Sequence, residues 1–143
     1  MVIAIACDHR GLDLKGTIIT KLQSKGMEVL DLGTYSEESA DYPVYGKMCG
    51  EAVVSGKAEK GIVICGSGIG ISIAANKVKG VRCALCTDAR MAEMSRKHND
   101  ANMLALGGQF TDHNVAAEIV DIWLDTEFEG GRHKRRTDMI DEM

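Results

Sequence analysis

The sequence predicts an α/β fold, a three-layer α/β/α sandwich in which helices cover both faces of a five-stranded parallel sheet. Two observations predict it: five short apolar runs occur along the 143 residues, and a stretch with helical periodicity follows each of them. Strands that alternate with helices form right-handed βαβ crossovers and a parallel sheet. No linker, repeat or low-complexity segment interrupts the alternation, so we expect one domain over residues 1–143.

The predicted strands are short and apolar, which is typical of strands in a sheet that is covered on both faces. They are VIAIAC (2–7), EVLDLG (28–33), GIVIC (61–65), VRCALC (81–86) and NMLALGG (102–108). In the fourth run Cys83 and Cys86 lie three positions apart and therefore face opposite sides of the sheet. We interpret this C-x-x-C pair as core packing and not as a redox or metal motif.

The predicted helices occupy the segments between these strands and the segments after the last strand. They cover residues 12–26, 41–56, 68–80, 88–99, 112–126 and about 131–143. Gly26 ends the first helix, and Pro43 is tolerated in the first turn of the second helix because its missing N–H is not needed there. Four apolar residues of the fifth helix are expected to face inward: Val115, Ile119, Ile122 and Trp123.

Charge and composition argue against several classes of partner. The formal net charge is −4, the isoelectric point is about 5.5, and GGRHKRR near the end is the main basic run, so nucleic acid is not an expected partner. The apolar runs are too short to span a bilayer, and the start of the chain lacks the pattern of a signal peptide, which predicts a soluble cytoplasmic protein. Five cysteines are expected to be reduced thiols and not a disulfide framework.

Polar residues follow the carboxyl ends of the predicted strands, which is where open α/β sheets bind their ligands. These segments cover residues 8–11, 33–35 with 41–42, 65–70, 87–88 and 107–109. His98 and Asn99 close the helix just before the fifth strand. We therefore expect polar side chains to converge on one edge of the sheet.

The CGSGIG segment at residues 65–70 carries the strongest chemical signal. Its G-x-G-x-G spacing differs from the G-x-G-x-x-G of dinucleotide-binding folds, and the chain has no Gly-Lys-Ser/Thr of a P-loop. What fits is a nest of backbone N–H groups at a helix start, suited to a small anion or a developing oxyanion. The positive helix end would lower the pKa of the Cys65 thiol, making it a base or a nucleophile. The alternative is an inert thiol at the end of a buried strand.

Two histidines and two arginines each have a functional and a structural interpretation. His9 follows the first strand and His98 lies near a helix end, so each could transfer a proton. The alternative for His9 is a solvated side chain, and for His98 it is a favourable interaction with the helix dipole. Arg132 and Arg136 are spaced i, i+4 on the last helix, where they could bind a phosphate together. The alternative for this pair is a solvated basic tail.

Five separated motifs cover nearly the whole chain in order. They are DHRG (8–11), DYP (41–43), CGSGIGISIAANK (65–77), SRKHNDANMLALG (95–107) and EGGRHKRR (129–136). Together they resemble the ribose-5-phosphate isomerase B family, within the wider group of galactose-6-phosphate and allose-6-phosphate isomerases. The resemblance implies a Rossmann-like sandwich that forms homodimers or tetramers with shared active sites. It also implies that ribose 5-phosphate and ribulose 5-phosphate are interconverted through a cis-enediolate, a step of the pentose phosphate pathway, without metal or cofactor.

The resemblance implies roles for individual residues in this reaction. Cys65 is the base that moves a proton between C1 and C2 of the sugar. His98 opens the furanose ring as proton donor, and it comes from the neighbouring subunit. Ser67 stands where the family usually has threonine, and its hydroxyl moves a proton between the enediolate oxygens. Asp8 binds or polarises sugar hydroxyls.

The implied substrate contacts extend over a larger set, divided between the sugar and its phosphate. They are Asp8, His9, Tyr42, Gly66, Ser67, Gly68, Ile69, Gly70, Asn99, Gln109, Arg132 and Arg136. His9, Arg132 and Arg136 take the phosphate, partly across the dimer, with the last helix packed on the partner subunit. Gln109 stands where many members have a phosphate-binding arginine, and Arg10 is a candidate to replace that charge.

The resemblance leaves alternatives for the substrate and for catalysis itself. The HND motif at residues 98–100 favours a pentose isomerase, because galactose-6-phosphate isomerases generally lack it. Allose 6-phosphate is an alternative substrate if the pocket has room for one more carbon. A non-catalytic sugar-phosphate-binding protein is the alternative from another class, and the combination of Cys65, His98 and Asp8 argues against it.

Overall fold

The structure, a computed structural model, describes all residues from 1 to 143 and confirms the predicted three-layer sandwich. The strands are β1 (Val2–Cys7), β2 (Glu28–Asp31), β3 (Lys60–Cys65), β4 (Cys83–Leu85) and β5 (Met103–Gly107). The helices are α1 (Leu12–Ser24), α2 (Tyr42–Val54), α3 (Ile69–Asn76), α4 (Ala89–Asn99), α5 (His113–Asp125) and α6 (Arg132–Asp141). A short 3-10 helix, His9–Gly11, was not predicted.

The five strands are all parallel, in the order β2-β1-β3-β5-β4. The chain moves from β1 outward to β2 and then returns to the other side of β1 with β3. Ile5 pairs with Ile62 across that junction, and Val63 pairs with Ala105 across the next one. Parallel sheets open a ligand-binding crevice where the order changes direction, so the ends of β1 and β3 are the expected place for a site.

Each face of the sheet buries its own hydrophobic cluster. Helices α1, α4 and α5 cover one face through residues such as Leu22 and Trp123, both fully buried. Helices α2 and α3 cover the other face, where Ile71 is fully buried. Cys86 belongs to the first cluster and Cys83 packs against the second, so the opposite orientation predicted for this pair is confirmed.

The inward face of α5 differs from the prediction at one residue. Val115 is 38% exposed, whereas Ala116 is fully buried. The buried positions of this helix are Ala116, Ile119, Val120 and Trp123. Their i, i+3, i+4, i+7 spacing places one apolar stripe against the sheet, and Val115 precedes that stripe by one residue, which turns it towards the side.

Helix α6 packs against α4 within the same chain. His133 and Thr137 form its buried side, and Nη1 of Arg82 donates to both carboxylate oxygens of Asp141 at 2.7 Å. This contact holds α6 next to the end of α4, where His98 lies. None of the six helices combines the length and apolar character needed to cross a bilayer.

Candidate active site

A cavity of about 560 Å³ lies where the chain leaves the carboxyl ends of β1, β3 and β5. Its lining residues come from these three strand ends and from the segment around the start of α2. They are Asp8, His9, Arg10, Ser39, Ala40, Asp41, Tyr42, Cys65, Gly66, Ser67, Ile69, Gly70, Gln109 and Phe110. The helices after β1 and β3 cover opposite faces of the sheet, which separates the two loops and leaves this space between them.

Cys65 is the last residue of β3 and lies at the base of this cavity. Its side chain is 5% exposed, and its Sγ accepts a hydrogen bond of 3.2 Å from the backbone N–H of Gly68. The N–H groups of Gly66, Ser67 and Gly70 donate to no other atom of the chain. The loop thus directs one backbone donor at the thiol and keeps three more unused, and unused N–H groups in a glycine loop at a helix start can bind an anion or an oxyanion.

The backbone path of this loop depends on two of its glycines. Gly68 has φ 80°, a left-handed conformation that side chains rarely adopt, and a Cβ there would lie 2.8 Å from the carbonyl carbon of Leu106. A Cβ on Gly70 would lie 2.6 Å from the ring of Tyr42. Tyr42 can therefore rest directly on the loop, which makes its ring one wall of the cavity.

Ser67 and Asp8 each use one oxygen for the fold and keep further hydrogen-bonding capacity. The Ser67 hydroxyl accepts from the N–H of Ile69 at 3.1 Å, so its own hydrogen is available to a ligand. Oδ1 of Asp8 accepts from the N–H groups of Arg10 and Gly11 at 2.9 and 3.2 Å and caps the 3-10 helix. Oδ2 takes part in neither bond and can accept a hydrogen bond from a ligand.

His9 connects the loop after β1 to the segment that precedes α2. Its Nδ1 accepts the N–H of Ala40 at 3.1 Å. A neutral imidazole that accepts at Nδ1 carries its hydrogen on Nε2, so His9 presents a donor.

Arg10 and Gln109 line the same cavity next to each other. A Cβ built on Gly66 would lie 3.1 Å from Cδ of Arg10 and 3.0 Å from Oε1 of Gln109.

Burial raises the pKa of the four other thiols of the chain. It raises the pKa of Cys7 and of Cys86 to about 11 and that of Cys49 to about 12, and it also raises the pKa of Cys83. None of these four residues lines the cavity. Cys65 is therefore the one cysteine of the chain that lines the cavity.

Four residues proposed from the sequence lie outside this cavity within one chain: His98, Asn99, Arg132 and Arg136. His98 and Asn99 end α4, and the two arginines lie on α6. Asn99 is exposed, and its carbonyl accepts from Nε of Arg82 at 3.0 Å. A fifth proposed residue, Gly68, is buried within the glycine loop and does not line the cavity either, although its N–H donates to Sγ of Cys65. Thr87 and Asp88, which follow β4, also lie outside the cavity, because β4 is at the edge of the sheet.

Several residues that line this cavity were not expected from the sequence. Ser39 and Ala40 line the cavity but precede the DYP motif without belonging to it, whereas Asp41 is part of that motif and was given no role of its own. Phe110 also lines it and is 76% exposed. An aromatic residue directly after the fifth strand was the available signal.

The sequence profile of the ribose/galactose isomerase family matches residues 3–140 of the chain. Ribose-5-phosphate isomerase B of Escherichia coli (strain K12) is 47% identical over 138 residues, which cover 96% of this chain and 93% of that protein. The match therefore includes the loops at the cavity as well as the sheet.

Solved structures agree with this match over nearly the full length of the chain. Ribose-5-phosphate isomerase B of Clostridium thermocellum gives a TM-score of 0.98 at 54% identity, covering 99% of this chain and 96% of that one. Ribose-5-phosphate isomerase B of Mycoplasma genitalium, with bound ribulose-5-phosphate, gives a TM-score of 0.94 at 42% identity, with coverages of 99% and 94%.

Proposed function

This chain belongs to the ribose/galactose isomerase family and is an isomerase, and on that premise we propose that it interconverts ribose 5-phosphate and ribulose 5-phosphate. The observation that carries the proposal is the Cys65 thiol, which accepts an N–H bond and faces a cavity next to unused backbone donors. Two solved relatives named for this reaction share the fold of the chain, and one of them holds ribulose 5-phosphate. The proposed place of the reaction is the cytoplasm.

The proposed reaction moves one proton between neighbouring carbon atoms. The Cys65 thiolate removes the hydrogen from C2 of the open-chain aldose, which produces a cis-enediolate, and the thiol then returns a proton to C1. The N–H groups of Gly66, Ser67 and Gly70 hold the oxygen that becomes negative. The Ser67 hydroxyl transfers a proton between O1 and O2. A base and oxyanion donors are sufficient for these steps, so we propose that neither metal nor cofactor takes part.

The remaining cavity residues are proposed to hold the two ends of the substrate. Oδ2 of Asp8 accepts a sugar hydroxyl, and the Tyr42 ring forms the wall beside it. Nε2–H of His9 donates to the phosphate, in line with the Nδ1 bond that fixes its tautomer. Gln109 and Arg10 lie at the same side of the cavity.

We further propose that a second copy of the chain completes the site in a homodimer or in a tetramer of such pairs. A cavity within one chain contains the base but lacks the ring-opening acid His98, the neighbouring Asn99, and the phosphate-binding pair Arg132 and Arg136. Phe110 exposes 76% of its surface at the rim, which suits it to a subunit contact. In a symmetric dimer each copy supplies these groups to the cavity of the other.

A panel of phosphorylated sugars tests the substrate. We expect turnover of ribose 5-phosphate with a higher kcat/KM than allose 6-phosphate or galactose 6-phosphate. The hexose phosphates are the alternative, because the family description includes galactose and a cavity of about 560 Å³ has space for one more carbon. Preference for a hexose phosphate would contradict the pentose assignment, and binding without turnover of any sugar would favour a sugar-phosphate-binding protein.

Replacement of Arg10 by alanine is expected to raise KM for ribose 5-phosphate by about 10- to 150-fold and to leave kcat nearly unchanged. The guanidinium lies beside the neutral Gln109 and supplies a positive charge for phosphate binding, and a lost charged hydrogen bond of about 1.5–3 kcal/mol corresponds to this change. Steady-state kinetics measures it. Adding Gln109→Arg to the Arg10→Ala variant should lower KM again, whereas an unchanged KM in Arg10→Ala would show that Arg10 does not bind the phosphate.

A further inference from the structure

A second cluster of chemically active side chains lies away from the cavity, where α6 packs on the end of α4. Nε2 of His98 is 3.6 Å from Oε1 of Glu129, and Nε2 of His133 is 3.3 Å from the same oxygen. The two imidazole rings stack with centroids 4.2 Å apart and an interplanar angle of 11°. Each of the three residues offers one ligand atom, and these atoms all lie within 4.8 Å of one another.

His133 gives an independent indication that this cluster awaits a ligand. Its side chain is only 7% exposed, and its Nε2 makes no hydrogen bond, although the Glu129 carboxylate lies within ion-pair distance. Buried ring nitrogens normally have a partner, because an unpaired polar atom loses its hydration without compensation. The unpaired nitrogen points towards the same space as the Glu129 oxygen and the half-exposed His98 ring.

The backbone fixes this arrangement from three sides. The N–H of Glu129 donates to the carbonyl of Lys97 at 3.1 Å, which attaches the segment before α6 to the last turn of α4. The N–H of His133 donates to the carbonyl of Gly130 at 3.1 Å at the start of α6. Gly130 and Gly131 have φ of 68° and 56°, which allows the sharp change of direction between the two residues of the cluster.

We propose that His98, Glu129 and His133 form a binding site for one divalent transition metal ion of the zinc type. Two imidazoles and one carboxylate are a common three-ligand set for zinc, with water in the fourth position. Tetrahedral bonds of about 2.0–2.1 Å separate neighbouring ligand atoms by about 3.4 Å. The distances from the Glu129 oxygen to the two imidazole nitrogens, 3.3 and 3.6 Å, are close to this value, and all three ligand atoms lie within 4.8 Å of one another, so the two imidazoles need only a small approach. The His98 ring is 42% exposed and can tilt out of the stack to bring its nitrogen to the ion.

A metal ion at this cluster would act as an inhibitor of the isomerase, a consequence that rests on the proposed function. The ion occupies Nε2 of His98, and a coordinated nitrogen cannot donate a proton to the sugar ring oxygen. The Glu129 carboxylate provides the negative charge that offsets Arg132 next to His133. Metal binding and substrate turnover would therefore exclude each other through one imidazole.

The test is a metal titration of the full chain after chelator treatment, in a buffer free of phosphate. Calorimetry with Zn²⁺ is expected to give one ion per chain. Absorption with Co²⁺ is expected to show a nitrogen and oxygen ligand field without thiolate charge-transfer bands. His133→Ala and Glu129→Gln should each weaken Zn²⁺ binding by at least about tenfold, because removing even a residue that only hydrogen-bonds to a metal ligand lowers the affinity by about 10- to 100-fold. His113→Gln, a histidine outside the cluster, should bind like the parent.

The outcomes separate the metal site from the proposed function. Glu129 is half-exposed, so Glu129→Gln is expected to fold, which circular dichroism can check. If the folded Glu129→Gln variant binds Zn²⁺ as tightly as the parent, the proposed site is wrong, even where His133→Ala fails to fold. Cobalt bands of thiolate ligation would overturn it as well. If Zn²⁺ binds through these residues and turnover persists at saturation, the inhibitory role is wrong. Absence of isomerisation in the metal-free chain would count against the proposed function alone.

Discussion

Replacing Cys65 by alanine is expected to lower kcat for isomerisation by about 100- to 10,000-fold, the usual contribution of a general base. The Kd of ribose 5-phosphate should change little, because the thiol moves a proton while other cavity residues bind hydroxyls and phosphate. Steady-state kinetics and calorimetry on the same variant measure the two effects. A loss in kcat without a loss in binding is the signature of an interaction made in the transition state.

Cys83→Ala is the matched control for this experiment. Cys83 is a partly buried thiol at the start of β4, and it does not line the cavity. We expect full turnover from this variant. Exchange of the C2 hydrogen with solvent deuterium gives a second readout, because it follows the proton transfer itself. Persistent exchange in Cys65→Ala would show that another group is the base.

Mixing two inactive variants, Cys65→Ala and His98→Ala, is expected to restore about a quarter of the parent turnover. In a two-fold symmetric dimer with shared sites, a mixed pair contains one site with both substitutions and one with neither, and random pairing makes half of the dimers mixed. Each variant alone should lose at least about 100-fold in kcat, since each lacks one proton-transfer group. Refolding equal amounts of differently tagged copies together allows the measurement, and purification for both tags then isolates the mixed dimers, whose expected turnover is about half of the parent value.

The control mixes His98→Ala with His98→Asn, where neither partner can supply the imidazole, and should remain inactive. A mixed dimer of the complementary variants that shows no recovery would place the catalytic His98 outside the shared site. Chromatography of the parent protein adds a second check. A strictly monomeric active species would contradict a cavity completed by a partner, because His98 does not line the cavity of its own chain.

The sequence predicted those parts of the fold that depend on local pattern. All five strands and six helices lie within a few residues of their expected positions, because alternation of apolar runs with helical periodicity is visible along the chain itself. The predictions that differ from the structure concern the ends of an element or a single residue. The fourth strand is limited to Cys83–Leu85, and Val115 lies one position ahead of the buried stripe of its helix. Tertiary packing decides such boundaries, since it selects which residues contact the sheet.

The candidate site shows the same division between local pattern and packing. The sequence indicated Cys65 and its glycine loop, because a strand, a tight turn and a helix start within a few residues determine where N–H groups can point. Asp8 and His9 followed from their position after β1. The residues that contact them could not be predicted from local pattern. The hydrogen bond from Ala40 to His9 and the contact of Tyr42 with Gly70 each join segments about 30 residues apart along the chain.

By itself the sequence determined the class of fold, the family and the thiol at the end of the third strand. Tertiary structure alone decided the order β2-β1-β3-β5-β4, which brings three strand ends to one cavity and leaves β4 outside it. It also placed His98 beside Glu129 and His133, away from that cavity. The physical reason is that periodicity records which side of an element is buried, whereas the identity of its neighbours depends on contacts between residues distant along the chain.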